Sequence, residues 1–547
     1  MNTERYRGLR GAPASTHLVE PQREASERRI SRDIAWTFVV SIATVPFGYL
    51  ITLVLARVSP AALGAFGVLG IYLGVVVSFL YFGGGTVSVR FTTELPSDSR
   101  LSFFVSYLGV TLAVLAGAIV IATAFPATLS YLVGHQADAR LVHSLLLAAP
   151  IPLFYSAADA TLRGVLRIGL AQTLARAITV LACMVYTAAW LFFADFFHQN
   201  YVLVIVGTYL VLMLFAGAIA FRVIRLSSPK GITHIRWFLP AGFWRFATTV
   251  QTNSMLAFAQ NKIDQLLVLG SLGISDLGIY FAILQLAEGA GLVAGFLLEG
   301  VFPLVMRFNA THEPERIRRL YHESARQILF IHAALTFALL AFIRPVLGIF
   351  GREYLDAAPI LILLLAFCSL DSLGPLNHTL IVGMSKMTPW TVVQVLRLAG
   401  FVVGSLALFG HLGMLGVVLA RGVAWTLAGA LAYWIVLRRL PLRPRVPWAY
   451  VWQLLLTMAL AELSLLRIHT PDLWSDFLSF GITFATFCLL GRYSLQEFTW
   501  LFSSILGGSK HDRRTLRVAT PAVIQAKSEQ IMRPEMNAAT QDQGVRR

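Results

Sequence analysis

Eight ionisable side chains lie inside stretches that are otherwise apolar: Arg176, Lys262, Asp264, Glu288, Glu299, Asp371, Arg397 and Arg421. An Arg or Lys at the middle of a bilayer costs roughly 2.5–3.5 kcal/mol on insertion scales. Four such cations imply a polar interior that could hold an anion. Arg suits a phosphate through its planar fork, and Lys acts as a point charge. The four carboxylates could take up a proton or a sodium ion, or pair with the cations. Spacing groups them further. At 100° per residue Thr249, Asn253, Gln260 and Asp264 fall within about 60° on one helix face, with Lys262 pointing roughly the other way. Glu288, Gly295 and Glu299 share a face, and so do Asp371 and His378. Gln172 precedes Arg176 by four residues, and Gln394 precedes Arg397 by three. Each charge is also open to a plainer reading, in which two of them pair and pin two helices. Arg245 and Glu299 lie near helix ends, where a long side chain can snorkel to the interface. His332 reads as a hydrogen-bonded packing residue.

The elements that must carry these residues are membrane spans. The 547-residue chain is 57% hydrophobic and 13% charged, with a mean hydropathy of +0.70. No soluble domain hides that much apolar surface. Fourteen spans are expected, near 34–56, 62–89, 101–124, 141–161, 171–194, 201–221, 241–269, 277–304, 327–343, 356–381, 390–410, 413–437, 447–466 and 473–490. The second carries Gly67, Gly70 and Gly74, a spacing that lets helices approach closely. Pro46 is expected to bend the first. The three cysteines, Cys183, Cys368 and Cys488, fall inside apolar runs and suggest neither a disulfide framework nor a metal site.

Net charge is +16. In this setting the excess cations mark topology and anionic lipid rather than nucleic acid. Of the 44 Lys and Arg, 34 fall in the tails and the even-numbered turns. Only Arg57, Arg140, Arg344, Arg352 and Arg467 fall in the odd-numbered turns. That asymmetry predicts both termini in the cytoplasm.

Residues 53–66 and 267–280 align at an offset of 214, with Leu53, Val54, Leu55, Leu63 and Gly64 matched by Leu267, Val268, Leu269, Leu277 and Gly278. Each stretch closes one span, turns and opens the next, the signature of an internal repeat. The expected organisation is a basic cytoplasmic tail (1–33), a first lobe of spans 1–6 (34–226), a second lobe of spans 7–12 (237–440), an extra pair of spans (441–490) and a second cytoplasmic tail (491–547). Leu495, Phe498, Phe502 and Ile505 recur at helical spacing, as in an interfacial helix or the end of the last span.

The turns are too short for a catalytic domain. No nucleotide-binding Gly/Lys loop, CxxC pair or Ser-centred elbow is present. HESAR at 322–326 lacks the second His of a zinc helix, and GAGLVAG at 289–295 is better suited to close helix packing. The chain therefore reads as a non-enzyme without a cofactor.

Three passages carry a family resemblance: ARVSPAALGAF at 56–66, KIDQLLVLGSLGISDLGIY at 262–280 and FGREYLDAAPILILLL at 350–365. The chain resembles the polysaccharide flippases of the multidrug/oligosaccharidyl-lipid/polysaccharide exporter superfamily across roughly residues 30–440. One departure is the end of span 2, YFGGGTVSVR, which lacks an acidic residue often found there. The resemblance implies two six-helix lobes open alternately to each side. It implies ion-coupled movement of an undecaprenyl-diphosphate-linked sugar or oligosaccharide across the bacterial inner membrane, for lipopolysaccharide or exopolysaccharide assembly. A polymerase and glycosyltransferases would be partners. On this expectation Arg176, Lys262, Arg397 and Arg421 face the diphosphate, while Asp264, Glu288, Glu299 and Asp371 couple an ion or pair with the cations. The competing readings are a drug/cation antiporter of the same superfamily, a flippase for a peptidoglycan precursor, and a membrane glycosyltransferase or polymerase.

Overall fold

A computed structural model describes residues 20–124, 147–165, 167–227, 236–384, 387–437, 447–467 and 472–493. The expected interfacial segment around Leu495 to Ile505 and most of the C-terminal tail lie outside them. The described chain is helical: α1 (Glu20–Val58), α2 (Pro60–Val75), α3 (Gly84–Glu94), α4 (Ser97–Ala124), α5 (Pro150–Gly164), α6 (Ile168–Phe192), α7 (Ala194–Ser227), α8 (Phe243–Leu272), α9 (Ile274–Ala310), α10 (Pro314–Ala341), α11 (Ile343–Phe350), α12 (Ala358–Leu370), α13 (Gly374–Gly383), α14 (Met387–Leu412), α15 (Met414–Leu431), α16 (Trp448–Arg467) and α17 (Leu473–Leu490). Among the described residues eleven helical segments are long and apolar enough to cross a membrane. They match expected spans 1, 2, 3, 5, 6 and 9–14. Spans 4, 7 and 8 fall on α5, α8 and α9. The first helix starts earlier than its apolar run suggests, at Glu20, and continues through Pro46. The chain forms two compact units, Met1–Thr483 and Phe484–Arg547. In the second, Phe487 packs on Tyr493 with ring centroids 5.3 Å apart. The intramembrane charges all belong to the first.

The two sequence-matched turns meet. Ser59 caps α2, its Oγ accepting from the Ala62 N–H at 3.0 Å, and Pro60 occupies the first turn where no amide partner is needed. Gly273, at φ +104°, ends α8 and lets α9 begin at once. Then α2 packs along α9. A Cβ on Gly64 would strike the carbonyl oxygen of Ile274, and one on Gly278 the carbonyl oxygen of Pro60. Adding 214 to 60 and 64 gives 274 and 278, so the two contacts are the same contact seen from either helix. That reciprocity is what a pseudo-twofold interface requires, and it explains why glycine recurs in both halves. Phe66 and Phe281 add an edge-to-face pair at 5.9 Å.

Two expected spans are interrupted rather than continuous. Span 2 widens into a π-turn at Val76–Leu80 and restarts as α3. Gly83 and Gly84 take φ of +78° and +61° there, a conformation open to glycine at little steric cost. Backbone groups freed inside a membrane need partners from neighbours. Gln251 of α8 supplies several: its Oε1 accepts from Gly83 N–H at 2.8 Å, and its Nε2 donates to Ser78 O at 2.7 Å and Phe79 O at 3.2 Å. Tyr107 Oη donates to Phe82 O and Gly84 O at 2.7 and 2.8 Å. Span 10 breaks between α12 and α13, and there Tyr450 of α16 donates to Leu370 O at 2.6 Å. Helix α16, the first of the extra spans, is thus bonded to the end of α12. His332 is a buried packing residue as expected, its Nδ1 within 3.2 Å of Thr336 Oγ1 and 2.9 Å of Gln453 Nε2.

Candidate functional site

The break in span 10 creates the site. Helix α12 ends at Asp371, whose N–H still bonds Phe367 O at 3.0 Å. Gly374 starts α13 and Pro375 follows in its first turn, where its missing N–H costs nothing. The Asp371 carboxylate lies directly against Gly374, where any Cβ would collide with it. Asp371 is therefore presented at a helix end instead of along a helix face, and three cavities of about 250, 280 and 210 Å³ meet at it. No ion pair to Asp371 exists among the described residues.

Trp425 of α15 stands between the first two cavities and lines both. The Arg397 guanidinium from α14 lies over its ring at 3.5 Å. Arg397 Nε is buried and has no hydrogen-bond partner among the described residues. The same cavity is lined by Asp371, His378, Trp390 and Gln394. Asp371 and His378, expected on one helix face, thus line a shared cavity across the break instead of one continuous helix.

Arg421 behaves differently. It sits four residues before Trp425 on α15, with its guanidinium 5.4 Å from that ring. Its Nη1 bonds Asp264 Oδ2 of α8 and its Nη2 bonds Glu288 Oε1 of α9 at 2.8 Å. Tyr280 Oη donates to Asp264 Oδ2 at 2.7 Å, and the Gln265 N–H donates to Asp264 Oδ1 at 2.8 Å. The Asp264 side chain is 2% exposed and that of Arg421 13%, while Glu288 is 56% exposed. Arg421 is in this state a helix pin, the plainer of its two sequence readings. Lys262 Nζ donates to Gln265 Oε1 at 3.1 Å and lies 3.8 Å from where a Gly70 Cβ would stand, against α2 of the first half. Lys262 and Asp264 do face different neighbours.

In the first half, Arg176 joins a separate network. Gln172 joins it to Ser41 of α1: in the orientation that satisfies the network, the Gln172 oxygen accepts from Arg176 Nε at 3.1 Å and from Ser41 Oγ at 3.0 Å. Arg163 Nε bonds Asp159 Oδ2 beside it at 2.8 Å. The four cations therefore occupy three places, not one cluster. The Glu299 side chain lies outside the described residues.

Sequence reasoning missed Trp425, Tyr280, Gln251, Tyr450 and the Asp159–Arg163 pair. Two signals were present: Asp159 and Arg163, like Arg421 and Trp425, stand four apart on one helix face. The tyrosines and Gln251 bond across helices, which no local spacing reveals.

No family model matches the chain, and no curated protein does. Solved structures do. An inward-facing multidrug resistance MATE family transporter of the MOP superfamily superposes with a TM-score of 0.58 at 12% identity, over 78% of this chain and 99% of that one. The lipid II flippase MurJ in an inward closed conformation gives 0.58 at 12%, over 83% and 99%. A MOP superfamily transporter from Pyrococcus furiosus, described by the reversed polarity of its binding pocket, gives 0.52 at 14%, over 80% and 96%. The chain has the fold of these transporters.

Proposed function

We propose that the chain moves an undecaprenyl-diphosphate-linked sugar or oligosaccharide from the cytoplasmic to the periplasmic leaflet of the bacterial inner membrane, for polysaccharide assembly. The observation that carries this is Arg397: a guanidinium inside a membrane-spanning bundle, stacked on Trp425, facing a cavity and, among the described residues, holding no carboxylate. A diphosphate cannot cross hydrocarbon as a bare ion. A fork with its nitrogens uncommitted is what such a group needs. Arg397 lies ten residues into α14 and Arg176 eight into α6, roughly 15 and 12 Å of helix rise from ends that the charge asymmetry assigns to the cytoplasm. Arg421 lies seven residues into α15, about 10 Å of helix rise from the other face. Substrate would meet Arg397 and Arg176 first. Arg421 becomes available only when Asp264 or Glu288 releases it, which a proton or sodium ion arriving at those carboxylates would do. Asp371, at the helix break beside Arg397, is the second candidate for coupling. The similarity to MurJ, whose structure is that of a lipid II flippase, supports a lipid-linked cargo.

The halves also differ in one useful respect. In the first, α1 packs along α6, while the equivalent α8 and α14 touch over far less of their length; Gln260 Nε2 donates to Gln394 O at 3.1 Å across that contact. An opening on this side would let the polyprenyl tail stay in lipid while the headgroup crosses.

The second reading, a drug/cation antiporter, is favoured by Asp371 itself, a carboxylate with no ion pair among the described residues, near Trp425 and the tyrosines Tyr321, Tyr433 and Tyr450. Aromatic faces beside a carboxylate suit an organic cation. One experiment separates the two. In a deletion strain, a single identified lipid-linked intermediate should accumulate and disappear on complementation; Arg397→Ala should fail to clear it at normal membrane abundance. Drug sensitivity without any such intermediate would establish the antiporter instead.

A further inference from the structure

Arg344 and Arg467 are two of the five cations on the side that the charge asymmetry leaves nearly bare. They come from turns 123 residues apart, after spans 9 and 13, yet they line one cavity of about 300 Å³. That volume is at the lower end for a ligand site. Arg344 stands at the joint of α10 and α11, and Arg467 in the last turn of α16. Arg467 Nη1 is tied to Ser479 Oγ at 2.6 Å. Arg344 Nη1 is buried with no hydrogen-bond partner among the described residues. A buried guanidinium nitrogen left open this way is costly unless something fills it. Two carboxylates, Asp472 and Asp476, line the same cavity at the start of α17. Neither lies within ion-pair distance of a described cation. Asp472 Oδ1 accepts from the Trp474 N–H at 3.2 Å and so serves as a turn cap; Asp476 has no such duty. Apart from Ser464 and Ser479, the remaining wall is apolar, with Leu340, Ile343, Leu355, Leu460 and Leu463 among its residues.

We propose that this cavity binds the zwitterionic headgroup of a membrane phospholipid that carries a phosphate and a primary ammonium, as phosphatidylethanolamine does. The phosphate meets Arg344 and Arg467, and the ammonium meets Asp476. The leucines hold the upper acyl chain. The cavity lies at helix ends, the level at which lipid headgroups sit, and its two charge signs match the two signs of that headgroup. This site is separate from Arg397 and Asp371. It also gives the extra spans a purpose, since α16 and α17 clamp a lipid against α10 and α11. Two exceptions to the charge asymmetry thereby acquire a reason.

The test is native mass spectrometry of the full-length protein in detergent, offered phosphatidylethanolamine, phosphatidylcholine or phosphatidylglycerol with matched acyl chains. Phosphatidylethanolamine should be retained at least tenfold better than the other two. Arg344→Ala should lower its retention at least tenfold, and Arg344→Lys should restore part of it. Asp476→Asn should instead remove the preference over phosphatidylglycerol. Lipid-free melting of each variant checks its folding, and the comparison between lipids on one variant is unaffected by a general loss of stability. Equal retention of the three lipids by the unsubstituted protein, or unchanged retention in both Arg344→Ala and Asp476→Asn, overturns the proposal. Loss of lipid binding with normal clearance of a lipid-linked intermediate would leave the transport reading standing.

Discussion

Arg421 and Arg397 carry the same charge in the same half, and the structure predicts opposite consequences of removing them. Arg421→Gln strips the partner from Asp264, whose side chain is 2% exposed and is otherwise held by the Tyr280 hydroxyl and the Gln265 amide. Breaking a buried pair from one side costs about 3–5 kcal/mol, because a desolvated charge is left alone. At 1.4 kcal/mol per decade that is a loss of roughly two to three and a half decades in the folded-to-unfolded ratio. The Glu288 contact adds less, since that carboxylate is 56% exposed and lines a cavity. Arg397→Gln breaks no ion pair among the described residues, although Asp371 lines the same cavity. It loses the stack on Trp425, worth about 0.5–2 kcal/mol. The assay is the fraction of full-length protein that stays monodisperse after heating in detergent. Arg421→Gln should melt well below Arg397→Gln, and Asp264→Asn combined with Arg421→Gln should recover most of the loss, since two neutral amides can still bond each other and Tyr280. Transport should not follow stability: Arg397→Gln should be stable and yet inactive. An Arg421→Gln protein as stable as Arg397→Gln, or a double variant no better than Arg421→Gln alone, would refute the reasoning.

Four shorter predictions accompany it. Gly64→Val and Gly278→Val should each lower thermal stability by a similar amount, on the order of 1–3 kcal/mol for overpacking; if one is silent, the contact is not reciprocal. Gln251→Leu strands the Gly83 amide and the Ser78 and Phe79 carbonyls, and hydrogen exchange over residues 78–84 should accelerate while that of α5 does not. Topology reporters fused after Gly231 and Lys510 should report cytoplasm and one after Gly273 periplasm; a periplasmic signal at Lys510 contradicts an even number of spans. Glu288→Gln or Asp371→Asn should weaken the dependence of transport on an ion gradient, and unaltered gradient dependence in both would remove these residues from coupling.

The sequence alone determined the solvent and the element type. Long apolar runs leave the backbone no partner but itself, so spans become helices, and helices stand where fourteen spans were expected. It also determined the repeat, because close approach of two backbones demands glycine at both Gly64 and Gly278. Intramembrane charge marked the residues worth watching, since each one carries a cost that must be met somewhere. Partners were beyond its reach. Whether Arg421 or Arg397 was the pinned cation depended on which helices face α15 and α14, and that is set by packing between segments 133 and 157 residues apart. The breaks in spans 2 and 10 were hidden for a related reason. Hydropathy does not register a turn whose loose carbonyls are taken by Gln251, Tyr107 or Tyr450, because those donors arrive from other helices. Only the tertiary structure decided that Asp371 sits at a helix end among three cavities, and that Arg344 and Arg467 share one.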